Sequence, residues 1–146
     1  ANGGKLRQPA FIQGSTNPPI SAIDPEIARA VASMLETVPT TEGTGTKARV
    51  ANYRIAGKTG TSRKASASGY AAARYVSSFA GFGPASNPRL ACVVVINDPT
   101  GEEYYGGLVA APLFAEVMTG AMRILNIPPD DYPVMLASAA DGAGVQ

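Results

Sequence analysis

The chain has 146 residues, 45% of them apolar, and a formal net charge of +1. That is enough for one core of ordinary size, and the charge is too balanced to argue for binding to nucleic acid or to a membrane surface. With no histidine and the single cysteine Cys92, these residues exclude a His/Cys metal centre, an internal disulfide and a histidine base; no cofactor is expected, nor any stretch long enough to span a membrane.

Residues 1–23 are rich in Gly, Pro, Asn and Ser and read as a connector, with one short strand expected at Pro9-Ala10-Phe11-Ile12. Asp24 offers a carboxylate cap, Pro25 suits the first helical position and Glu26 complements the positive helix end. A helix is therefore predicted from Asp24 to Pro39, with Ile27, Ala30, Val31, Met34, Leu35 and Val38 as an apolar stripe lying on a larger body. Residues 40–46 read as a glycine-threonine loop, able to hold an anion through backbone amides but more often a plain connection. Tyr75 to Pro84 and Leu90 to Ile96 read as strands. The second is continuously apolar, as expected of a central strand covered on both faces, with Cys92 as a small core residue. Together with the strand that carries Lys58, they most simply form an antiparallel meander. Pro112 to about Asn126 predicts a helix, apolar on most sides and buried against the sheet. Residues 1–129 make the body, and 130–146, small and polar, a flexible tail.

The distinctive stretch is Ile55-Ala56-Gly57-Lys58-Thr59-Gly60-Thr61-Ser62. In an extended strand Thr59 and Thr61 share one face, and Gly60, on the other, marks a close approach. A phosphate-binding loop would need glycine where Asn52 stands and a helix beginning at the lysine; the polar run after Ser62 reads instead as a strand running into a loop. The alternative is the lysine-threonine-glycine strand of penicillin-recognising serine acyltransferases. From Gly43 to Asn97 there is no Asp or Glu, while Lys47, Arg49, Arg54, Lys58, Arg63, Lys64, Arg74 and Arg89 all fall there. The segment is either an electropositive face for carboxylates or phosphates or a solvated basic surface with acidic partners elsewhere in the fold.

Ala1-Asn2-Gly3-Gly4, Met34 to Val38, Gly43 to Ala48, Tyr53 to Ser62, Ser78 to Pro84, Val93 to Pro99 and Tyr104 to Pro112, in that order, resemble class B penicillin-binding proteins, most of all their Gram-negative cell-division branch. The resemblance runs from Ala1 to about Pro129. It implies an α+β, β-lactamase/transpeptidase-like fold, an antiparallel sheet with packing helices, of which this chain carries the C-terminal part. It also implies a peptidoglycan D,D-transpeptidase that cross-links stem peptides ending in D-Ala-D-Ala during septal wall synthesis and is acylated by β-lactam antibiotics. Such an enzyme works with cell-division proteins, without nucleic acid, at the periplasmic face of the inner membrane, anchored by a segment outside these residues. No Ser here is followed three residues later by Lys. The nucleophilic serine, its lysine base and the serine-x-asparagine motif are therefore expected on a preceding segment, and Ser15-Thr16-Asn17 is read as a chance match.

The resemblance assigns Lys58 and Thr61 catalytic roles. Lys58 supplies positive charge beside the serine-x-asparagine hydroxyl, and the Thr61 backbone N–H is an oxyanion donor, the kind of contact worth about 3 kcal/mol. Thr59, Gly60 and Thr61 bind the substrate, the two hydroxyls donating to its terminal carboxylate and Gly60 allowing a peptide to add along the strand. Arg63, with Lys64, is placed toward anionic parts of the substrate, and Tyr75, Tyr104 and Tyr105 line the rim. By their residue types alone, the tyrosines are ordinary strand-end aromatics and the two cations solvated charges. Rival readings are a serine β-lactamase, which would need an activating carboxylate that the lysine strand does not show nearby, and a noncatalytic module binding an anionic polymer through the basic segment.

Overall fold

Three antiparallel strands, β3 (Ala56–Ser66), β4 (Gly69–Gly83) and β5 (Leu90–Asn97), form one sheet in the order β3-β4-β5. The computed structural model describes residues 1–12, 18–66 and 69–131; Ser15-Thr16-Asn17 and tail residues 132–146 lie outside them. The meander expected from sequence is present, and Lys58 begins a strand rather than a helix, which removes the phosphate-loop reading.

The short strands β1 (Lys5–Leu6) and β2 (Ile20–Ser21) pair with each other. Phe11 and Ile12 are exposed and outside any strand, contrary to expectation; among the described residues the stretch has no partner strand to satisfy its backbone. Helix α1 (Pro25–Leu35) begins where predicted, with the Asp24 carboxylate accepting from the Glu26 N–H at 2.7 Å. It stops four residues before Pro39, because the chain turns at Glu36–Thr40 through hydrogen bonds from Thr37, Val38 and Thr40. None of its residues is buried, and Met34 is 67% exposed. A cavity of about 300 Å³, bordered by Leu6, Ile23, Val31, Leu35 and Phe82, lies beside it.

A single turn of 3₁₀ helix (Thr46–Ala48) leads to β3, and beyond β5 come α2 (Gly106–Val109) and α3 (Ala111–Ile124). Phe114, Met118 and Met122, four residues apart, make one inward stripe against Phe79 and Val94 of the sheet. Two expectations fail here. Only that stripe and Ala111 of α3 are buried, with Leu113, Val117 and Ile124 exposed, since a helix lying on a sheet covers one side of itself. And among the described residues β5 is an edge strand, with Val93 66% and Val95 60% exposed, because α3 covers only the other face. The run Gly106–Ile124 also reaches the length of a membrane span, 19 residues at mean hydropathy 1.3, where none was expected; its inward stripe packs on the sheet as a core helix does.

Asp130 and Asp131, assigned to the tail from sequence, are tied to this body. The Asp130 carboxylate accepts from the Arg54 N–H (2.7 Å) and from the Ser86 N–H and hydroxyl, and the Asp131 N–H donates to the Asn52 carbonyl. Partial burial opposes ionisation of Asp130, but the Arg54 and Ser86 hydrogen bonds outweigh it and hold the carboxyl below its usual range. A depressed folded-state pKa gives stability that is present above the ordinary Asp value and lost as pH falls through the folded one. Asp130→Ala in the complete domain is therefore expected to cost about 1–2 kcal/mol at neutral pH, measured by urea unfolding. The gap to wild type should close below about pH 3.9; a pH-independent difference would contradict this.

Candidate active site

Cross-strand register fixes which side chains of β3 look which way. Thr59 lies opposite Phe79 and Thr61 opposite Ser77, so both threonines face the side covered by α2 and α3, as the alternation predicted. Lys58 lies opposite Ala80 and Gly60 opposite Ser78, on the other face. The close approach expected at Gly60 is made by Ser78, whose Oγ would stand 2.5 Å from any Cβ added there. Among the described residues no strand pairs with the other side of β3, which is thus an open edge.

The Lys58 ammonium curls over to the Thr59 carbonyl at 3.0 Å and the Thr59 hydroxyl at 3.4 Å. No carboxylate among the described residues lies within ion-pairing distance of it. Thr59 Oγ1 is also 3.1 Å from Thr44 Oγ1, on the glycine-threonine loop. Thr61 Oγ1 accepts from the Gly106 N–H at 3.0 Å. A hydroxyl that accepts one hydrogen bond keeps its own proton to give away, so Thr61 is set up as a donor, and Thr59 becomes one when Lys58 and Thr44 donate into it.

Gly106 and Gly107 explain how α2 comes this close. A Cβ on Gly106 would collide with the carbonyl oxygens of Gly60 and Ser78, and one on Gly107 with that of Thr44. Main chain packs on main chain here, which glycine alone permits. Thr44, Ser77 and Gly106 were not singled out as site residues from sequence; the Tyr-Tyr-Gly-Gly run was the available signal, since paired glycines opening a helix mark a tight contact.

Tyr75, Tyr104 and Tyr105 come together as one stack. Tyr75 and Tyr104 have ring centroids 4.0 Å apart at 13°, and Tyr104 and Tyr105 4.4 Å apart at 29°. The Arg63 guanidinium sits 5.9 Å from the Tyr75 ring centre, closing the row on the β3 side. Lys64 does not join it. It sits at the irregularity between Arg63 and Ala65 and turns to Asn97 Oδ1 (3.0 Å) and Asp98 (3.9 Å), where Arg74 also pairs. With Arg54 paired to Glu36, part of the basic segment is thus neutralised by acids elsewhere, while Lys58 and Arg63 are in no ion pair among the described residues. A cleft of about 630 Å³ beside Glu36, Arg49 and Tyr53 contains none of the predicted site residues; the candidate site is a strand edge with a stacked rim.

The Tyr104 hydroxyl donates to that of Tyr105 at 3.2 Å. This bond, with lost hydration, pushes the Tyr104 phenol up to about 12. Ultraviolet titration is expected to show one tyrosine ionising about two pH units above the ordinary value of about 10, and Tyr105→Phe to bring it down. Unchanged titration in that variant would refute the coupling.

Comparison with known proteins agrees with this geometry. The family described as "Penicillin binding protein transpeptidase domain" matches residues 1–119. The chain belongs to the penicillin-binding protein transpeptidase family. It is 46% identical over 132 residues to the probable peptidoglycan D,D-transpeptidase PbpC of Pseudomonas aeruginosa, covering 90% of this chain and 23% of that protein. It is 47% identical over 117 residues to the peptidoglycan D,D-transpeptidase FtsI of Escherichia coli K12, covering 78% of this chain and 20% of that one. The transpeptidase domain of Burkholderia pseudomallei penicillin-binding protein 3 superposes with a TM-score of 0.76 at 36% identity, over 91% of this chain and 41% of that one. The transpeptidase-like α+β fold expected from sequence is thereby shown, and the chain spans about a fifth of the length of these full-length relatives.

Proposed function

We propose that this chain is the C-terminal part of the transpeptidase domain of a septal peptidoglycan D,D-transpeptidase, and that it supplies the recognition and electrostatic wall of the acyl-transfer site. The observation that carries the reading is the open β3 edge, where an ammonium in no ion pair among the described residues and two hydroxyls prepared as donors stand within three residues of one another. A stem peptide adds along that edge as a further strand. Its terminal carboxylate takes hydrogen bonds from Thr59 and Thr61, and its side chains meet the Tyr75, Tyr104 and Tyr105 stack beside Arg63. The attacking serine, its lysine base and the serine-x-asparagine motif come from a segment outside these residues. The serine displaces D-alanine from the D-Ala-D-Ala end to give an acyl-enzyme, which then passes its acyl group to an amine on a neighbouring strand, so that one hard transfer becomes two easier ones. Lys58 stabilises the negative charge that develops in each step. On this reading the enzyme works at the periplasmic face of the inner membrane, with cell-division proteins as its companions and β-lactams as its inhibitors. The full-length protein is expected to form a stable covalent adduct with a fluorescent penicillin, visible on a denaturing gel. Rapid turnover of that penicillin would make it a β-lactamase, and no reaction together with salt-sensitive binding to polyanions would favour a noncatalytic module.

A further inference from the structure

Ser77 is the one polar side chain fully buried among the described residues. It stands on the core face of β4, two residues from the equally buried Phe79, where an alanine would satisfy packing without a hydroxyl to accommodate. Among the described residues that hydroxyl has a single partner. Its Oγ donates to the main-chain carbonyl of Tyr104, while Thr61, directly opposite on β3, accepts from the N–H of Gly106. Two facing side chains on adjacent strands thus hold one turn by bonds of opposite polarity, two residues apart. Tyr104 is the middle ring of the tyrosine stack, and Tyr75, the ring on one side of it, lies two residues before Ser77 on the same face of β4. One strand therefore carries the first ring and also the hydrogen bond that places the second.

We infer that Ser77 is a positioning residue for recognition of the acyl donor: through the Tyr104 carbonyl it sets the spacing of the aromatic stack, and so governs selectivity among donors rather than the rate of acyl transfer. This rests on the transpeptidase reading of the site. Ser77 touches no substrate atom itself. Without its donor the Tyr104 carbonyl loses its partner beneath the turn, and the ring loses its fixed distance from Tyr75. Lys58, on the opposite face of β3, is left as it was.

Rapid-mixing acylation of the full-length protein separates the dissociation constant of the initial complex from the first-order acylation step. Two probes share the same bicyclic nucleus and carboxylate: benzylpenicillin, with an aromatic side chain, and 6-aminopenicillanic acid, without one. Ser77→Ala is expected to weaken initial binding of benzylpenicillin about tenfold while leaving binding of 6-aminopenicillanic acid, and both acylation steps, within about twofold. Near-ultraviolet circular dichroism from the stacked tyrosines should fall as well. Ser77→Cys keeps the volume with a weaker donor and should shift the same way, and it decides the matter if the alanine variant does not fold. Equal losses for the two probes, a change confined to the acylation step, or wild-type behaviour would overturn the inference. Failure of the wild-type protein to react with either probe would overturn the transpeptidase reading itself, and this inference with it.

Discussion

In the complete transpeptidase domain that contains this chain, Lys58→Ala is expected to slow penicillin acylation about a thousandfold or more, while shifting Tm by no more than about 2 °C. The small stability effect follows from its surroundings. Lys58 is exposed, makes no ion pair among the described residues and bonds only to its neighbour Thr59, so its removal leaves no buried group without a partner. The large kinetic effect follows from the role proposed for the charge: a cation at an open strand edge would stabilise negative charge as it develops, in a site from which bound substrate would exclude water. Arg63→Ala is the decisive comparison. It removes a charge of the same sign from the same strand, but that charge stacks against Tyr75 instead of lying beside the Thr59 hydroxyl. A general electrostatic effect would make the two losses similar, whereas a contact made in the transition state makes the first far larger. Similar, small changes in the acylation rate constant would defeat the assignment.

Expressed by itself, the 146-residue chain is expected to aggregate or to unfold without a cooperative transition, and to recover folding and penicillin acylation together when the preceding part of the domain is supplied. Apolar surface is open on both sides of the sheet. Val93 and Val95 stand out from one face of β5, and Leu113, Val117 and Ile124 from the outer side of α3, while Ile27, Val31 and Met34 of α1 are more than two-fifths exposed. Contiguous apolar areas of this kind mark surfaces that another body covers, and this chain matches 41% of a solved transpeptidase domain. Edge strand β5 adds unpaired backbone groups that invite pairing between chains. Calorimetry and light scattering test this directly: a sharp, reversible thermal transition from a soluble monomer would show that the exposed faces need no cover.

Much of this could be read from local pattern because its causes are local. Asp24-Pro25-Glu26 fixes where α1 begins through a cap bond spanning two residues, and the two-residue period of a strand puts Thr59 and Thr61 on one face whatever lies around them. The motif at Lys58, with the ordered segments around it, sufficed for the family. What hydrophobicity by itself misjudged was coverage: β5 reads as a central strand and α3 as apolar on most sides, yet each presents one face to solvent here, because burial depends on which elements lie opposite and not on the residue's own preference. The last helical turn before Pro39 was likewise lost to hydrogen bonds at Glu36–Thr40 that no period encodes.

By itself, then, the sequence determined the start of α1, the three strands of the meander including the one that carries Lys58, and the identity of the three tyrosines and Arg63 as residues of interest. Only the tertiary structure decided that those rings stack, that Lys64 leaves the site for Asn97 and Asp98, and that Ser77 and Thr61 grip the Tyr104–Gly106 turn. The physical reason is distance along the chain. Most of these contacts join residues brought together by the register of the sheet or by the docking of α2 where two glycines let main chain meet main chain, and a bond between distant residues leaves no periodic trace in the sequence around either of them.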